Sequence, residues 1–197
     1  MKETEVNILP IGELNEKVLS LLLEALPFKA KKLPRAEIPS GAYNPRRGQY
    51  LALHFLELAH SFRGIVLGVT NVDIYAEGLN FIFGQAELNG KAAVISTYRL
   101  ENADKELFVL RMVKESVHEL GHIFGLEHCS KELCVMKFSN CIEDTDRKGK
   151  WYCNECESKL KRFSNARLRF KRNACYDVVE NDGILEPKKP ELVAVKS

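Results

Sequence analysis

The segment His118-Glu119-Leu120-Gly121-His122-Ile123-Phe124-Gly125-Leu126-Glu127-His128-Cys129 decides how this chain is read. His118 and His122 stand one helical repeat apart, so both imidazoles can reach a common point from one helix face. The residues before them support a helix: Leu107, Leu110, Val113, Val117, Leu120 and Phe124 make one apolar stripe. Asn102 reads as its cap, with Asp104 and Glu106 placing acidic charge in the first turn. Gly125 can end the helix in a left-handed conformation and turn the chain back. His128 then arrives as a third imidazole, which a continuing helix would not allow. Three neutral imidazoles suit zinc with a fourth position open to water. Glu119, adjacent on the helix, is placed to take a proton from that water and pass it to a leaving amine. Three fixed residues of this kind recur by chance in roughly one chain in a hundred of this length, and Gly125 with His128 lowers that by roughly another 500-fold. Incidental histidines on a solvated helix are therefore the weaker reading. His54 and His60, in an upstream amphipathic segment, read as ordinary surface or boundary residues.

The next residues downstream carry a second pattern. Cys129 and Cys134, then Cys153 and Cys156, have the pairwise spacing of a four-cysteine zinc site. Cys141 lies in the intervening loop and could replace one ligand; the four regularly spaced residues are favoured. Cys175 reads as a small buried side chain. Because Cys129 directly follows His128, a zinc on the cysteines would pin the loop that delivers the third histidine. Its closed thiolate shell leaves no place for substrate, so that ion is expected to be structural.

Upstream, Val6–Ile11 reads as a strand and Glu13–Leu26 as a helix ended by Pro27. A short strand is expected within Phe28–Leu33, a loop over Pro34–Arg47 and a helix over Gln49–Phe62 ended by Gly64. Ile65–Thr70 is a β-branched run typical of a buried strand. Asn80–Glu87 and Ala92–Tyr98 are joined across Asn89-Gly90, which predicts an antiparallel pair. This alternation predicts a mostly parallel sheet with one antiparallel strand. A last helix is expected over Asn154–Asn173, and Gly183–Ser197 reads as a mobile tail.

The totals set bounds. The chain has 197 residues, 45% of them hydrophobic and 28% charged, enough for one domain with a real core. A net charge of +2 is too small to imply a polyanionic partner. No apolar run approaches the roughly 18 residues of a membrane span, and the first residues show no basic stretch followed by an apolar one. The chain is placed in the cytoplasm, where cysteines stay reduced and available to metal.

From His118 to Cys156 the chain resembles the archaemetzincins, a branch of the metzincin zinc peptidases. The resemblance rests on His118-Glu119-x-x-His122-x-x-Gly125-x-x-His128-Cys129, Cys134-Val135-Met136, Phe138-Ser139-Asn140 and Cys153-x-x-Cys156. It implies a metzincin-like α/β (α+β) fold: a twisted mixed sheet of about five strands, mostly parallel with one antiparallel edge strand, an active-site helix and a zinc-bound C-terminal subdomain. The catalytic domain would cover residues 1–182, divided at residue 125. The resemblance further implies two zinc ions: a catalytic one on His118, His122 and His128, with Glu119 as general base, and a structural one on Cys129, Cys134, Cys153 and Cys156. Met136 would be the methionine of the Met-turn beneath the histidines; on sequence alone it could equally be core packing. The edge strand above the cleft, assigned to Asn80–Glu87, would pair with extended substrate. Tyr152, the nearest tyrosine after Met136, is given no catalytic role.

The expected activity is peptide-bond hydrolysis by a monomer acting on peptide or protein substrates, with no membrane association. The alternative is a zinc-stabilised binding protein on a peptidase scaffold. It would use the basic segment Lys159, Lys161, Arg162, Arg167, Arg169, Lys171 and Arg172 to contact nucleic acid or an acidic partner. The plainer reading of that segment is an amphipathic helix with a solvated basic face, and nucleic acid is the less expected partner.

Overall fold

The computed structural model describes residues 5–163. Near-continuous burial along its central strands builds its sheet. Strand β1 is Val6–Pro10, followed by helix α1, Glu16–Ala25, and strand β2, Ala30–Lys32. Strands β3, Tyr43–Asn44, and β4, Gln49–Leu51, lead into helix α2, Ala52–Ser61. Strands β5, Ile65–Thr70, β6, Ile74–Tyr75, β7, Gly84–Ala86, and β8, Ala92–Ser96, come next. After a 3-10 turn at Tyr98–Leu100 come α3, Lys105–Ile123, α4, Ile142–Arg147, and α5, Asn154–Phe163.

The main sheet has five strands in the order β2-β1-β5-β8-β7. β2, β1, β5 and β8 run parallel, and β7 pairs antiparallel with β8 at one edge. Its faces are distinct. Val6, Ile8, Leu67, Val69, Ala93 and Ile95 point to one core with α1 and α3, while Leu9, Val66, Ala92 and Val94 point to the other with α2. Burial on both faces is what a parallel sheet requires, and it accounts for the almost unbroken apolar runs. The first core continues past α3 to Cys134, Val135, Met136, Cys156 and Leu160. The C-terminal cysteines and the sheet therefore share one apolar contact surface.

Several elements differ from the sequence expectations. Gln49–Leu51 opens the expected second helix but forms β4, because these residues pair with Tyr43–Asn44 and Ile74–Tyr75 in a second, three-stranded sheet. That sheet also puts short strand structure inside the Pro34–Arg47 loop. The expected Asn80–Glu87 strand shrinks to Gly84–Ala86. The cap of α3 is Asp104, whose carboxylate accepts from the amides of Glu106 at 2.9 Å and Leu107 at 3.3 Å. Asn102 instead accepts from the Asp104 amide at 2.8 Å, two residues before the cap. The expected helix beyond Phe163, the cations Arg167–Arg172, Cys175 and the tail Gly183–Ser197 lie outside the described residues. No helix among the described residues is long and apolar enough to cross a membrane.

Candidate metal centre

Helix α3 ends as its sequence predicts. Gly125 takes φ of +86°, the Gly125 amide donates to His122 O at 2.9 Å, and the Leu126 amide donates to Gly121 O at 2.9 Å. This paired closure with a left-handed glycine satisfies carbonyls that the last turn leaves open. It also turns the Leu126 carbonyl onto Nδ1 of His122, at 2.7 Å. His118 has a matching partner: its Nδ1 lies 2.8 Å from Val135 O. A carbonyl can only accept, so each Nδ1 carries the proton and each Nε2 keeps its lone pair for a metal.

Those lone pairs converge. Nε2 of His118 and Nε2 of His122 are 3.1 Å apart, and the ligand atoms of His118, His122 and His128 all lie within 4.8 Å of one another. Nitrogens on a tetrahedral zinc, at bond lengths of about 2.0–2.1 Å, are about 3.3 Å apart. The arrangement fits a zinc ion. Burial, reinforced by the nearby Lys148 ammonium, holds His118 well below the usual imidazole range; burial likewise lowers His122 and His128. All three are thus neutral near pH 7, the form that binds metal.

The cysteines converge as well. The Sγ atoms of Cys129 and Cys153 are 3.9 Å apart, and those of Cys134 and Cys156 are 3.8 Å apart. Disulfide sulfurs would be about 2.05 Å apart. Thiolates on a tetrahedral zinc, at bonds of about 2.3 Å, are about 3.8 Å apart. The four cysteines thus have the spacing of a closed zinc site, while Cys141 stands apart as the cap of α4. Burial raises the Cys134 and Cys156 thiols. At Cys153 burial is outweighed by hydrogen bonds from the Cys156 amide and neighbouring thiols, and the pKa falls to about 7. The two sites are linked through backbone: Val135, between Cys134 and Met136, supplies the carbonyl on His118, and the Cys129 amide donates to Met136 O at 2.9 Å.

Glu119 is 4% exposed, and burial followed by the nearby Glu115 carboxylate pushes its carboxyl well above the usual range. It packs against the edge strand. A Cβ on Gly84 would lie 2.5 Å from Glu119 Oε1, so only glycine leaves room there. Gly121 has a parallel role: a Cβ there would collide with Met136 Sδ, which places the fully buried Met136 directly against the turn bearing His122. Tyr152 donates from its hydroxyl to Val117 O at 2.7 Å and also packs near Gly121. His54 and His60 are surface residues, the latter 2.5 Å from Glu87.

A cleft of about 800 Å³ runs past these groups. One wall is β7 with the segment before it; the other includes Phe138, Ser139 and Asn140. Phe138, 41% exposed, packs its ring 4.9 Å from that of His128. Two arginines hold the first wall. Arg47 Nη2 donates to Leu79 O at 2.9 Å and Asn80 O at 2.8 Å. Arg99 lies over the Phe81 ring at 4.2 Å while Asp73 grips its guanidinium at 2.6 and 2.7 Å. The cleft also touches Glu115 and Lys148. Sequence reasoning missed the roles of Gly84, Arg47, Asp73, Arg99 and the Glu115–Lys148 pair. An isolated glycine in an expected strand signals a close approach and was the one legible sign. The others depend on contacts distant in sequence.

A helix presenting two histidines, a glycine turn returning a third, and a buried glutamate facing a cleft beneath an edge strand define a zinc metallopeptidase. The sequence profile of peptidase family M54 matches residues 11–162. The archaemetzincin of Archaeoglobus fulgidus is 44% identical over 161 residues, covering 80% of this chain and 99% of that protein. The archaemetzincin of Methanocaldococcus jannaschii is 43% identical, covering 78% of this chain and 90% of that protein. Among solved structures, the A. fulgidus archaemetzincin superposes with a TM-score of 0.75 at 43% identity, covering 79% of this chain and 99% of that one. The Methanopyrus kandleri archaemetzincin gives a TM-score of 0.75 at 39% identity, covering 81% of this chain and 94% of that one. The chain belongs to peptidase family M54, with archaemetzincins as its relatives.

Proposed function

We propose that the chain hydrolyses peptide bonds at a zinc ion held by His118, His122 and His128, with Glu119 as the general base. The observation that carries this reading is the position of Glu119: a buried carboxyl lining the cleft, one residue from a converged histidine and against the edge strand. Bound zinc supplies Lewis acidity toward water and the scissile carbonyl. Glu119 takes the proton from the attacking water and delivers it to the leaving amine. Its raised proton affinity suits it to accept a proton and return it. Extended substrate adds alongside β7, whose outer edge faces no other strand of the sheet. Met136 forms an apolar floor beneath the histidine ligands.

A second zinc, on Cys129, Cys134, Cys153 and Cys156, is structural in this reading. Thiolate ligands suit a reducing compartment, which favours the cytoplasm. The catalytic unit is a single domain running through the cysteine site. The test is Glu119→Gln. Peptide turnover by the zinc-loaded protein, read by mass spectrometry of a diverse peptide mixture, should fall by about 10²–10⁴-fold with zinc content unchanged. Full activity in that variant would exclude Glu119 as the base.

A further inference from the structure

Lys148 stands out among the described residues as a fully buried lysine. Its side chain is 1% exposed, and it pairs at 2.9 Å with Glu115, whose side chain is 4% exposed. Lysine is almost never buried without a strong reason. Both residues line the cleft that holds His118 and Glu119, and Lys148 is the one lysine or arginine in that lining. The peptidase reading gives the pair no role.

The hydrogen-bonding balance at the pair is uneven. Glu115 Oε1 accepts a hydrogen bond from Thr145 Oγ1 at 3.0 Å and forms an ion pair with Lys148 Nζ at 2.9 Å. An ammonium has three N–H donors. The Lys148 ammonium faces Glu115 in that ion pair and donates one long hydrogen bond, 3.5 Å, to Lys137 O. At least one donor remains unspent. Lys137 also precedes the wall Phe138-Ser139-Asn140, and Ser139 Oγ is buried with no hydrogen-bond partner among the described residues. Buried polar groups without partners are rare and call for a ligand or water. Here the unspent capacity can be filled by acceptor atoms, from a group of opposite sign to the ammonium. A carboxylate meets both conditions, whereas a cationic side chain would face Lys148 and find Glu115 already engaged.

We propose that Lys148 and Ser139 form a carboxylate-recognition subsite in the cleft, which takes an aspartate or glutamate side chain, or the terminal carboxylate, of a peptide substrate. Glu115 and Thr145 hold Lys148 in place between helix α3 and the wall. This assignment rests on the peptidase reading for the occupant of the cleft, but it can be read out by binding alone.

The experiment compares peptides that differ only by glutamate against glutamine, scanned through the positions around the cleaved bond. Binding is measured by fluorescence anisotropy on the zinc-loaded Glu119→Gln protein, and cleavage on the native protein. A charge-assisted hydrogen bond predicts about tenfold tighter binding of the glutamate peptide at one position. Ser139→Ala should reduce that preference. The paired variant Lys148→Met with Glu115→Gln removes both charges together, which avoids an orphaned buried carboxylate, and should abolish it. Equal binding of the two peptides, or a preference unchanged in both variants, would overturn the subsite. Acid-selective binding that depends on Lys148, without cleavage of any peptide, would sink the peptidase reading and leave the subsite standing. Cleavage without acid selectivity would do the reverse.

Discussion

The Val135 carbonyl oxygen lies 2.8 Å from Nδ1 of His118, joining the cysteine cluster to the histidine cluster through one hydrogen bond. Val135 follows Cys134, and its amide donates to Trp151 O at 2.9 Å, two residues before Cys153. The carbonyl that orients His118 is therefore held by both cysteine pairs. Partners of this kind are commonly worth 10–100-fold in metal affinity. Replacing Cys153 or Cys156 by serine should weaken zinc at the histidines by about that factor, measured by chelator competition. Unchanged affinity at the histidine site would show that the two sites are independent.

Gly84 leaves the space that Glu119 occupies. Gly84→Ala should push the carboxylate from its position while the histidines, anchored by Val135 and Leu126, stay in place. We expect kcat to fall by about 10²-fold, as displacement of the proposed general base requires, with zinc content intact. Loss of zinc in step with activity would mean that the strand, not the carboxylate, had moved the site.

Burying the ionisable carboxyl of Glu119 has a cost in stability. Its pKa is raised in the folded protein above the ordinary 4.5, so the unfolded chain releases this proton first. The contribution is favourable below about pH 4.5 and is lost as pH rises toward the folded value. Glu119→Gln removes that loss. The metal-free variant should melt above the native metal-free protein near pH 8, with the gap closing as the pH falls. Calorimetry across that range checks it; a gap that is constant with pH would exclude ionisation as the cause.

The three histidines act with the opposite sign. Their pKa values lie below the ordinary 6.5, so the unfolded chain takes up protons first as the solution is acidified. Their contribution is fully present above about pH 6.5 and declines below it. Proton competition for the same nitrogens also releases metal. Zinc retention on dialysis should therefore fall steeply below about pH 6, followed by atomic absorption. Retention at the histidines that does not depend on pH would contradict imidazole ligation.

Arg47 clamps the Leu79 and Asn80 carbonyls that lead into β7. Arg47→Ala should loosen that wall without touching the reacting groups. Steady-state kinetics should show KM raised about tenfold with kcat nearly unchanged, the signature of lost ground-state binding. An equal loss in kcat would place the clamp's effect on the transition state.

The sequence by itself was enough to single out the candidate metal ligands of this protein. Helical spacing aligns His118 with His122, and a left-handed glycine is the economical way to bring His128 back, so local backbone rules were enough. The parallel strands and the antiparallel β7–β8 pair were legible too, because their burial patterns are local. Boundaries were less so. Gln49–Leu51 carries helical periodicity but is held as strand by partners near residues 43 and 75. Asn102 and Asp104 are both good caps, and only the geometry of the turn before α3 chose Asp104. Tertiary structure alone decided what surrounds the candidate metal ligands. Val135 and Leu126 act through backbone carbonyls, which every residue has. Nothing in the residues flanking Lys148 marks it for burial until Glu115, 33 positions earlier in the chain, is brought against it. Ligand identity follows from side-chain chemistry at short spacing, whereas tautomer, burial and cleft charge follow from groups that only folding brings together.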